Sequence, residues 1–306
     1  MLRHRLRPRQ YAPRPLRVAP PPPPRLPADA LPSIALVTPS FEQAAYLERT
    51  IRSVVLQGYP RLRYVVEDGG SRDGSVAVLE RWAARLDGWT SAPDQGQGDA
   101  VNRGFARIDG EVMAWLNSDD LLLPGTLRVV GEYFAAHPDV DVVYGNRIVI
   151  DEADREIGRW ILPGHDAARL SWADVVPQET LFWRRRVWTA VGGLDPAFRF
   201  ALDWDLLLRL RDAGARMVHL PRFLGAFRFH ARQKNAVIGD VGRQEMQVLR
   251  TRALGRAPSN LAVRRHVAPL VAAAAWAGLR YELARAAGRT PADVPYDAAV
   301  AAESAG

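Results

Sequence analysis

The stretch Asn117-Ser118-Asp119-Asp120 follows directly on the apolar run Val112-Met113-Ala114-Trp115-Leu116. Two adjacent carboxylates at the exit of a buried strand repel each other and resist desolvation, and a bound cation is one way to compensate them. The other is an Asx-type turn in which Asp120 caps a helix starting near Pro124. The same order, apolar segment then carboxylate, recurs at Asp68 and Asp203. Asp68 opens the turn Asp68-Gly69-Gly70-Ser71-Arg72-Asp73-Gly74-Ser75. With two glycines behind it, such a carboxylate can approach a flat heterocycle and accept a ring N–H. It equally suits a turn that caps a helix at Ser75. A third polar turn, from Asp94 through three residues to Gly98, combines glycine flexibility with a helix N-terminus, which favours anions.

Stepwise alternation of strand and helix patterns predicts the scaffold that carries these turns. Apolar strands are expected over 34–37, 63–66, 89–92 and 111–116, and helical spacing over 46–57, 75–86 and 99–108. That order predicts an α/β fold with a mainly parallel sheet and helices on both faces, whose ligands sit outside the carboxyl ends of the strands. Further on, helices are expected over 125–136, 184–191 and 205–213. Strands are expected within 140–161, at 217–220 and at 225–230. Two final helices over 241–254 and 259–287 form a C-terminal helical extension, assigned to residues 236–306.

The net charge of +7 would suggest nucleic acid until it is mapped. Residues 1–31 hold seven arginines (3, 5, 7, 9, 14, 17 and 25) against Asp29 alone, which leaves the remainder close to neutral. No nucleic-acid partner is therefore expected. Ten of the 23 prolines also fall within residues 1–32, so residues 1–31 are expected to be an extended or disordered tail. Its arginines suit weak attraction to anionic lipid, or simple solubilisation. They are not followed by the apolar region of a secretory signal. The longest apolar run, 267–279, has about 13 residues where a membrane span needs about 20. Helix 259–287 carries Arg264, Arg265, Arg280 and Arg285 beside Trp276 and Tyr281. This composition allows docking on a membrane, although packing against the domain is the expectation. The absence of cysteine excludes disulfides and Cys-ligated zinc, and agrees with a cytoplasmic location.

Taken in order, the turns resemble the family 2 glycosyltransferases of the GT-A fold. The family's opening strand and Thr-Pro-Ser-Phe occupy 37–41, and its Asp-Gly-Gly-Ser-x-Asp-Gly-Ser turn occupies 68–75. The segment 94–104 is similar to the family's loop and helix under the nucleotide, and Leu116 to Asp120 to its DxD-type metal motif. Residues 178–186, 191–195 and 201–209 resemble the acceptor half. The likeness spans residues 33 to 235, placing a transferase domain at 32–235 with nucleotide-binding (32–120) and acceptor (121–235) halves.

The resemblance implies a metal-dependent, hexosyltransferase-like enzyme that moves a sugar from a nucleotide diphosphate donor to a glycan or lipid-linked acceptor, as in cell-surface polysaccharide synthesis. It implies Mg²⁺ or Mn²⁺ on the diphosphate, held by Asp119, with His230 beside it. Thr38, Pro39, Ser40, Glu42, Asp68, Asp94, Asn102, Ser118 and Asp120 are implied donor contacts, and Gln178 and Trp204 acceptor contacts. For Asp120, ligation of the cation, acceptance of a sugar hydroxyl and helix capping remain alternatives. Asp203 is the implied general base, a role that its alternative as a helix cap does not exclude. One base and no nucleophilic carboxylate imply inversion at the anomeric carbon.

Three positions depart from the family pattern. Glu42 replaces a usual Asn, Gln95 a frequent basic residue, and Leu202 a frequent acid before the base. Phosphate neutralisation then falls to Arg72 or Arg103. A dinucleotide oxidoreductase would need G-x-G-x-x-G after the first strand, where residues 38–43 contain no glycine. A sugar nucleotidyltransferase would need a Gly-rich basic loop there, also missing. A catalytically silent binding protein would have no need of Asp68, Asp119 and Asp203 together.

Overall fold

The computed structural model describes residues 10–231, 233 and 238–304. Its strands are β1 (Gln10–Arg14), β2 (Arg17–Val18), β3 (Ile34–Ser40), β4 (Leu62–Asp68), β5 (Gly88–Ser91), β6 (Val112–Trp115), β7 (Leu121–Leu122), β8 (Val142–Ile150), β9 (Glu156–Trp160), β10 (Phe182–Arg184), β11 (Met217–Arg228) and β12 (Val294–Pro295). The helices are α1 (Ala44–Val55), α2 (Ser75–Trp82), α3 (Gln97–Arg107), α4 (Thr126–Ala136), α5 (Ala167–Leu170), α6 (Arg185–Val191), α7 (Leu202–Asp212), α8 (Gly239–Leu254), α9 (Asn260–Ala286) and α10 (Tyr296–Ser304).

The main sheet runs β1-β9-β8-β10-β6-β3-β4-β5, with β11 joining β8 and β7 off this path. The half that contains β6, β3, β4 and β5 is parallel, as the alternation predicts. Leu36, Val66 and Ala114 face a core shared with α1, α2 and α4, and Ala35, Val37, Val65 and Trp115 face one shared with α3, α6 and α7. Strands buried on both faces account for the continuous apolar runs at 34–37 and 112–116. Antiparallel β10 is inserted between β6 and β8. At three residues it is too short to show a period, and the sequence reading passed over it. The strands expected at 217–220 and 225–230 are one strand, β11, whose register shifts twice along β8.

The tail expectation needs correction for residues 10–31. β1 pairs with β9, Tyr11 donates to Glu156, and Arg14 bridges the same carboxylate at 2.6 Å. β9 would otherwise be an edge strand with unpaired backbone groups, and β1 satisfies them. After Pro20–Pro24 the chain is tied to α4 through Glu132, which accepts the N–H groups of Arg25 (2.7 Å) and Leu26 (3.2 Å). Residues 1–9 and the boundary placed at 235/236 lie outside the described residues.

At the other terminus β12 pairs with β2, and α10 packs Tyr296 and Ala299 against Leu16, Val18 and Leu121. Glu303 on α10 accepts the Gly125 N–H through both carboxylate oxygens, at 2.9 and 3.0 Å. Burial pushes this carboxyl up to about 7, against the weaker lowering by that hydrogen bond. The folded state then holds a proton that the unfolded chain loses near pH 4.5, so stability falls as pH rises from there through 7. Glu303→Gln is expected to flatten this dependence, melting above the wild type at pH 8 and level with it near pH 5. Thermal melts across that range check it.

Candidate active site

Three strand ends define one edge. In the parallel register Ser40 lies opposite Asp68, and Val37 opposite both Val65 and Trp115. The Leu116 N–H reaches the Val37 carbonyl at 2.9 Å, so the turns after β3, β4 and β6 leave the sheet side by side. Residues 68 and 119, about fifty positions apart in sequence, thus reach the same edge across a single strand.

Asp68 is buried and organises its own turn. Oδ2 accepts the N–H groups of Gly70 (3.2 Å) and Ser71 (2.8 Å) and the Ser91 hydroxyl (2.7 Å), while Oδ1, among the described residues, takes only the Ser71 hydroxyl (2.6 Å). It does not cap α2. That position belongs to Gly74, and Asp73 takes the Ser75 N–H at 3.0 Å. Asp94 stands across from it, accepting the Gly96 N–H at 2.7 Å. A Cβ on Gly69 would lie 2.9 Å from Asp94 Oδ2 and 3.2 Å from the Phe41 ring, so any larger residue would push these two side chains aside. Phe41 is 61% exposed beside them, an aromatic face at the cleft that the sequence reading did not single out. Glu42 sits at φ 53°, a left-handed conformation that Asn adopts more readily than Glu, and its carboxylate accepts the Arg72 N–H at 2.8 Å. Glu42 therefore closes the turn.

Several expected donor contacts face inward. Thr38 is fully buried and its hydroxyl pairs with the Tyr64 hydroxyl at 2.9 Å inside the sheet, which engages that side chain in the scaffold. Pro39 is buried with it. Ser40 is also buried, its hydroxyl without a hydrogen-bond partner among the described residues. Asn102 also holds the scaffold. Its amide donates to the Leu194 carbonyl (2.9 Å) and accepts the Leu194 N–H (3.0 Å), which locks α3 to the loop after α6. Both polar atoms are engaged, which anchors α3 there, although the amide nitrogen has a second hydrogen to give.

The turn at 117–120 is held from below. Thr50 donates to the carbonyls of buried Ser118 (2.9 Å) and Asp120 (2.8 Å). Asp120 is buried and caps no helix, since α4 begins after Gly125. Its Oδ1 accepts the Arg228 N–H at 2.9 Å. Burial, then the neighbouring Asp119 and Glu179, push its carboxyl well above the usual range. Asp119 remains 18% exposed at the cleft, and its Oδ2 meets His230 Nε2 at 2.9 Å. An ionised carboxylate only accepts, so Nε2 carries the proton and His230 orients Asp119. Binding a cation through that nitrogen would require the bond to be exchanged.

Arg228 is the residue the sequence did not reveal here. Its guanidinium, 1% exposed, donates to the Asp119 carbonyl (2.8 Å) and the Asp151 carbonyl (3.0 Å), bridges Asp154 at 2.5 Å and stacks 4.8 Å from the Tyr46 ring centroid. It supplies fixed positive charge beneath the two acids.

The acceptor half contributes Asp203 from the first turn of α7, which starts at Leu202 behind Ala201. Asp203 is therefore no N-cap. Its Oδ1 nevertheless accepts the first-turn Trp204 N–H at 2.9 Å, while Glu245 accepts the N–H groups of Arg199, Phe200 and Ala201, just ahead of the helix, at 2.8–2.9 Å. Asp174, absent from the sequence reading, faces Asp203 electrostatically. Its Oδ1 is shut from solvent without a hydrogen-bond partner among the described residues. Burial first, and Asp203 next, push the Asp174 carboxyl well above its ordinary value. Arg147 and Glu179, a bidentate pair at 2.8 and 2.5 Å, act electrostatically on both Asp174 and Asp120. That shared pair links the Asp203 end of the site to the Asp119 end.

Gln178 and Trp204 need correction as acceptor contacts. Gln178 is buried, donates to the Trp115 carbonyl (2.8 Å) and accepts the Asn117 amide (3.0 Å), so it braces the 117–120 turn. Trp204 is wholly enclosed, its indole N–H bonded to the Leu170 carbonyl at 2.7 Å, and holds α7 in the core.

Two surface cavities, of about 840 and 690 Å³, lie elsewhere: one along α8, the other at the amino edge by Ser33 and Arg184–Arg186. In the second, Arg184 and Arg185 already hold backbone carbonyls, which argues against a ligand role. Among the described residues no cluster of three or more acidic or histidine side chains forms a protein-only metal cage. A Mg²⁺-type ion fits this edge in another way, since it takes one or two carboxylates and completes its shell with phosphate and water. Asp119, open to the cleft and oriented from behind, meets that requirement.

The sequence pattern of Glycosyl transferase family 2 matches residues 35–194. An uncharacterized glycosyltransferase of Mycobacterium tuberculosis is 31% identical over 184 residues, 58% of this chain and 68% of that protein. The O-antigen biosynthesis protein RfbC of Myxococcus xanthus is 29% identical over 216 residues, 69% of this chain but 16% of that protein. Among solved structures, S. aureus TarS 1-349 in complex with UDP-GlcNAc superposes with a TM-score of 0.61 at 15% identity, covering 78% of this chain and 71% of that one. The mannosyltransferase PcManGT of Pyrobaculum calidifontis, in complex with GDP-Man and Mn²⁺, gives 0.56 at 21% identity, covering 94% and 82%. These last two likenesses are of fold.

Proposed function

The chain belongs to glycosyl transferase family 2, and from that membership and the site geometry we propose that it transfers a sugar from a nucleotide diphosphate donor to an acceptor hydroxyl, with inversion. What supports this reading is that the turns carrying Asp68, Asp94 and Phe41 and the turn carrying Asp119 leave one sheet edge side by side, while Asp203 acts on Asp174, which shares the Arg147–Glu179 pair with Asp120. Phe41 offers a stacking face for the base, and Asp68 Oδ1 is the oxygen with room to accept a ring N–H. Asp119 would hold a divalent cation, Mg²⁺ or Mn²⁺, with the diphosphate. Such an ion, when bound, offsets the negative charge that builds on the leaving diphosphate. Asp120, buried and hydrogen-bonded to Arg228, anchors the turn and is not assigned as a ligand.

Asp203 accepts the proton of the acceptor hydroxyl as that oxygen bonds to the anomeric carbon. The bond from that carbon to the diphosphate oxygen breaks, and the pair leaves with the nucleoside diphosphate. Asp174, whose carboxyl is pushed well above the ordinary range by burial first and then by Asp203, lies electrostatically beside the proposed base. It supplies the second acid that Leu202 does not. Glycan or lipid-linked acceptors, cell-surface polysaccharide synthesis and action in the cytoplasm complete the proposal. RfbC, named for O-antigen biosynthesis, supports that setting. The test is release of nucleoside diphosphate from a panel of UDP-, GDP- and TDP-sugars, with and without divalent cation. Release from at least one donor, abolished by chelator, is expected. Binding of donors without release from any of them would contradict transfer.

A further inference from the structure

α9 carries two apolar faces and packs only one of them. Val263, Val267 and Leu270 are 5%, 3% and 6% exposed against the domain. On the opposite side Leu261, Trp276, Leu279 and Leu283 are 67%, 60%, 50% and 59% exposed. At 100° per residue these four fall within one narrow stripe about 33 Å long, with Arg265 in it and Arg280 on its border. The outward face of a surface helix is normally polar. Four arginines and a single acid, Glu282, are the charges of this helix, and Arg264, Arg265 and Arg280 are all exposed. Among the described residues Arg285 alone of the four is ion-paired, with Asp293 at 3.1 Å.

We propose that the solvent face of α9 docks in the headgroup region of an anionic bilayer, with its axis in the membrane plane. An indole and leucines between arginines are the composition that sinks into the headgroup–acyl boundary while the guanidinium groups stay with lipid phosphates. A second copy fits this face poorly. Antiparallel pairing about the stripe's midpoint, near residue 272, sets Arg265 of one helix beside Arg280 of the other, and like charges oppose the contact. The composition of the chain ahead of β1 agrees. Residues 1–9 contain Arg3, Arg5, Arg7 and Arg9 and no acid. The chain enters β1 next to β9, whose Arg159 donates to Tyr281 of α9 at 2.7 Å. At its other end α9 stacks His266 on Trp172, 3.6 Å between ring centroids and two residues before Asp174. Docking therefore brings the acceptor half of the molecule towards lipid, a consequence that rests on the transferase reading, whereas docking itself does not.

The test is co-sedimentation of the full chain with vesicles of phosphatidylcholine alone or mixed with phosphatidylglycerol, at low and high salt. The chain is expected to pellet with the anionic vesicles and to be released by salt. Trp276→Ser/Leu279→Ser/Leu283→Ser should lower the partition at least about tenfold through lost apolar insertion. Arg265→Gln/Arg280→Gln should lower it about 30-fold. Both sets are on the surface, so circular dichroism should show unchanged folding. Wild-type pelleting in either variant overturns the proposal, as does failure of the full chain to pellet. Binding that survives both variants but vanishes on removing residues 1–9 assigns docking to the tail and overturns the role of α9. A lipid-free dimer in sedimentation velocity that the serine variant dissolves assigns the face to a second copy and likewise overturns membrane docking by α9. Because no arm reads turnover, a negative result leaves the transferase proposal standing.

Discussion

Asp203→Asn is expected to lower turnover by about 10² to 10⁴ while leaving donor affinity intact. The substitution keeps the size of the side chain and removes its ability to take a proton. Asp203 lies at the start of α7, across the Arg147–Glu179 pair from the turn that would hold the donor, so donor binding should not register the change. Asp174→Asn is the matched control. Its carboxyl is pushed well above the ordinary range by burial and by Asp203, which favours the neutral form, and the isosteric amide should preserve turnover. Steady-state kinetics of the two variants separate the roles. Equal losses in both would mean that the pair acts as one unit, and normal turnover by Asp203→Asn would remove the base assignment.

Arg228→Met should cost about 3–5 kcal/mol of stability, the range for removing one partner of a buried charged cluster. The guanidinium holds the Asp119 and Asp151 carbonyls and the Asp154 carboxylate at once. Methionine fills much of the volume and supplies none of these donors, so the two carbonyls lose their buried partner and Asp154 loses one of its two arginines, keeping Arg49 at 2.6 Å. Arg228→Lys retains charge without the planar fork and is expected to fall between the two. Urea unfolding midpoints check the order wild type, Lys, Met. A loss under 1 kcal/mol for Met would show that the cluster does not depend on this cation.

The parallel half of the sheet was legible because its strands are buried on both faces and read as unbroken apolar runs, with glycine-rich turns between them. The acids at the strand ends stood out for the same reason: charge after such a run has nowhere to go but an edge. The sequence reading lost accuracy wherever the deciding contact is far along the chain. Asn102 read as a donor contact because its motif says nothing of Leu194, 92 residues away, which takes both amide atoms. Trp204 follows the base in sequence, yet the helix turns it into the core, and only the packing of α7 against α5 decides that. Arg228 looks like one more basic residue until β11 sets it under Asp119. Asp174 sits in an irregular segment with no period to mark it. The pairing of β1 with β9 depends on an edge whose existence requires the whole sheet.

Asp119 is the residue through which donor and cation are proposed to meet, and calorimetric titration of UDP and GDP into the wild type and Asp119→Ala, with and without Mn²⁺, reads that meeting directly. The wild type should bind at least one nucleotide tightly with Mn²⁺ and much more weakly without it, while Asp119→Ala binds weakly in both conditions. Equal nucleotide affinity in all four arms would contradict the site.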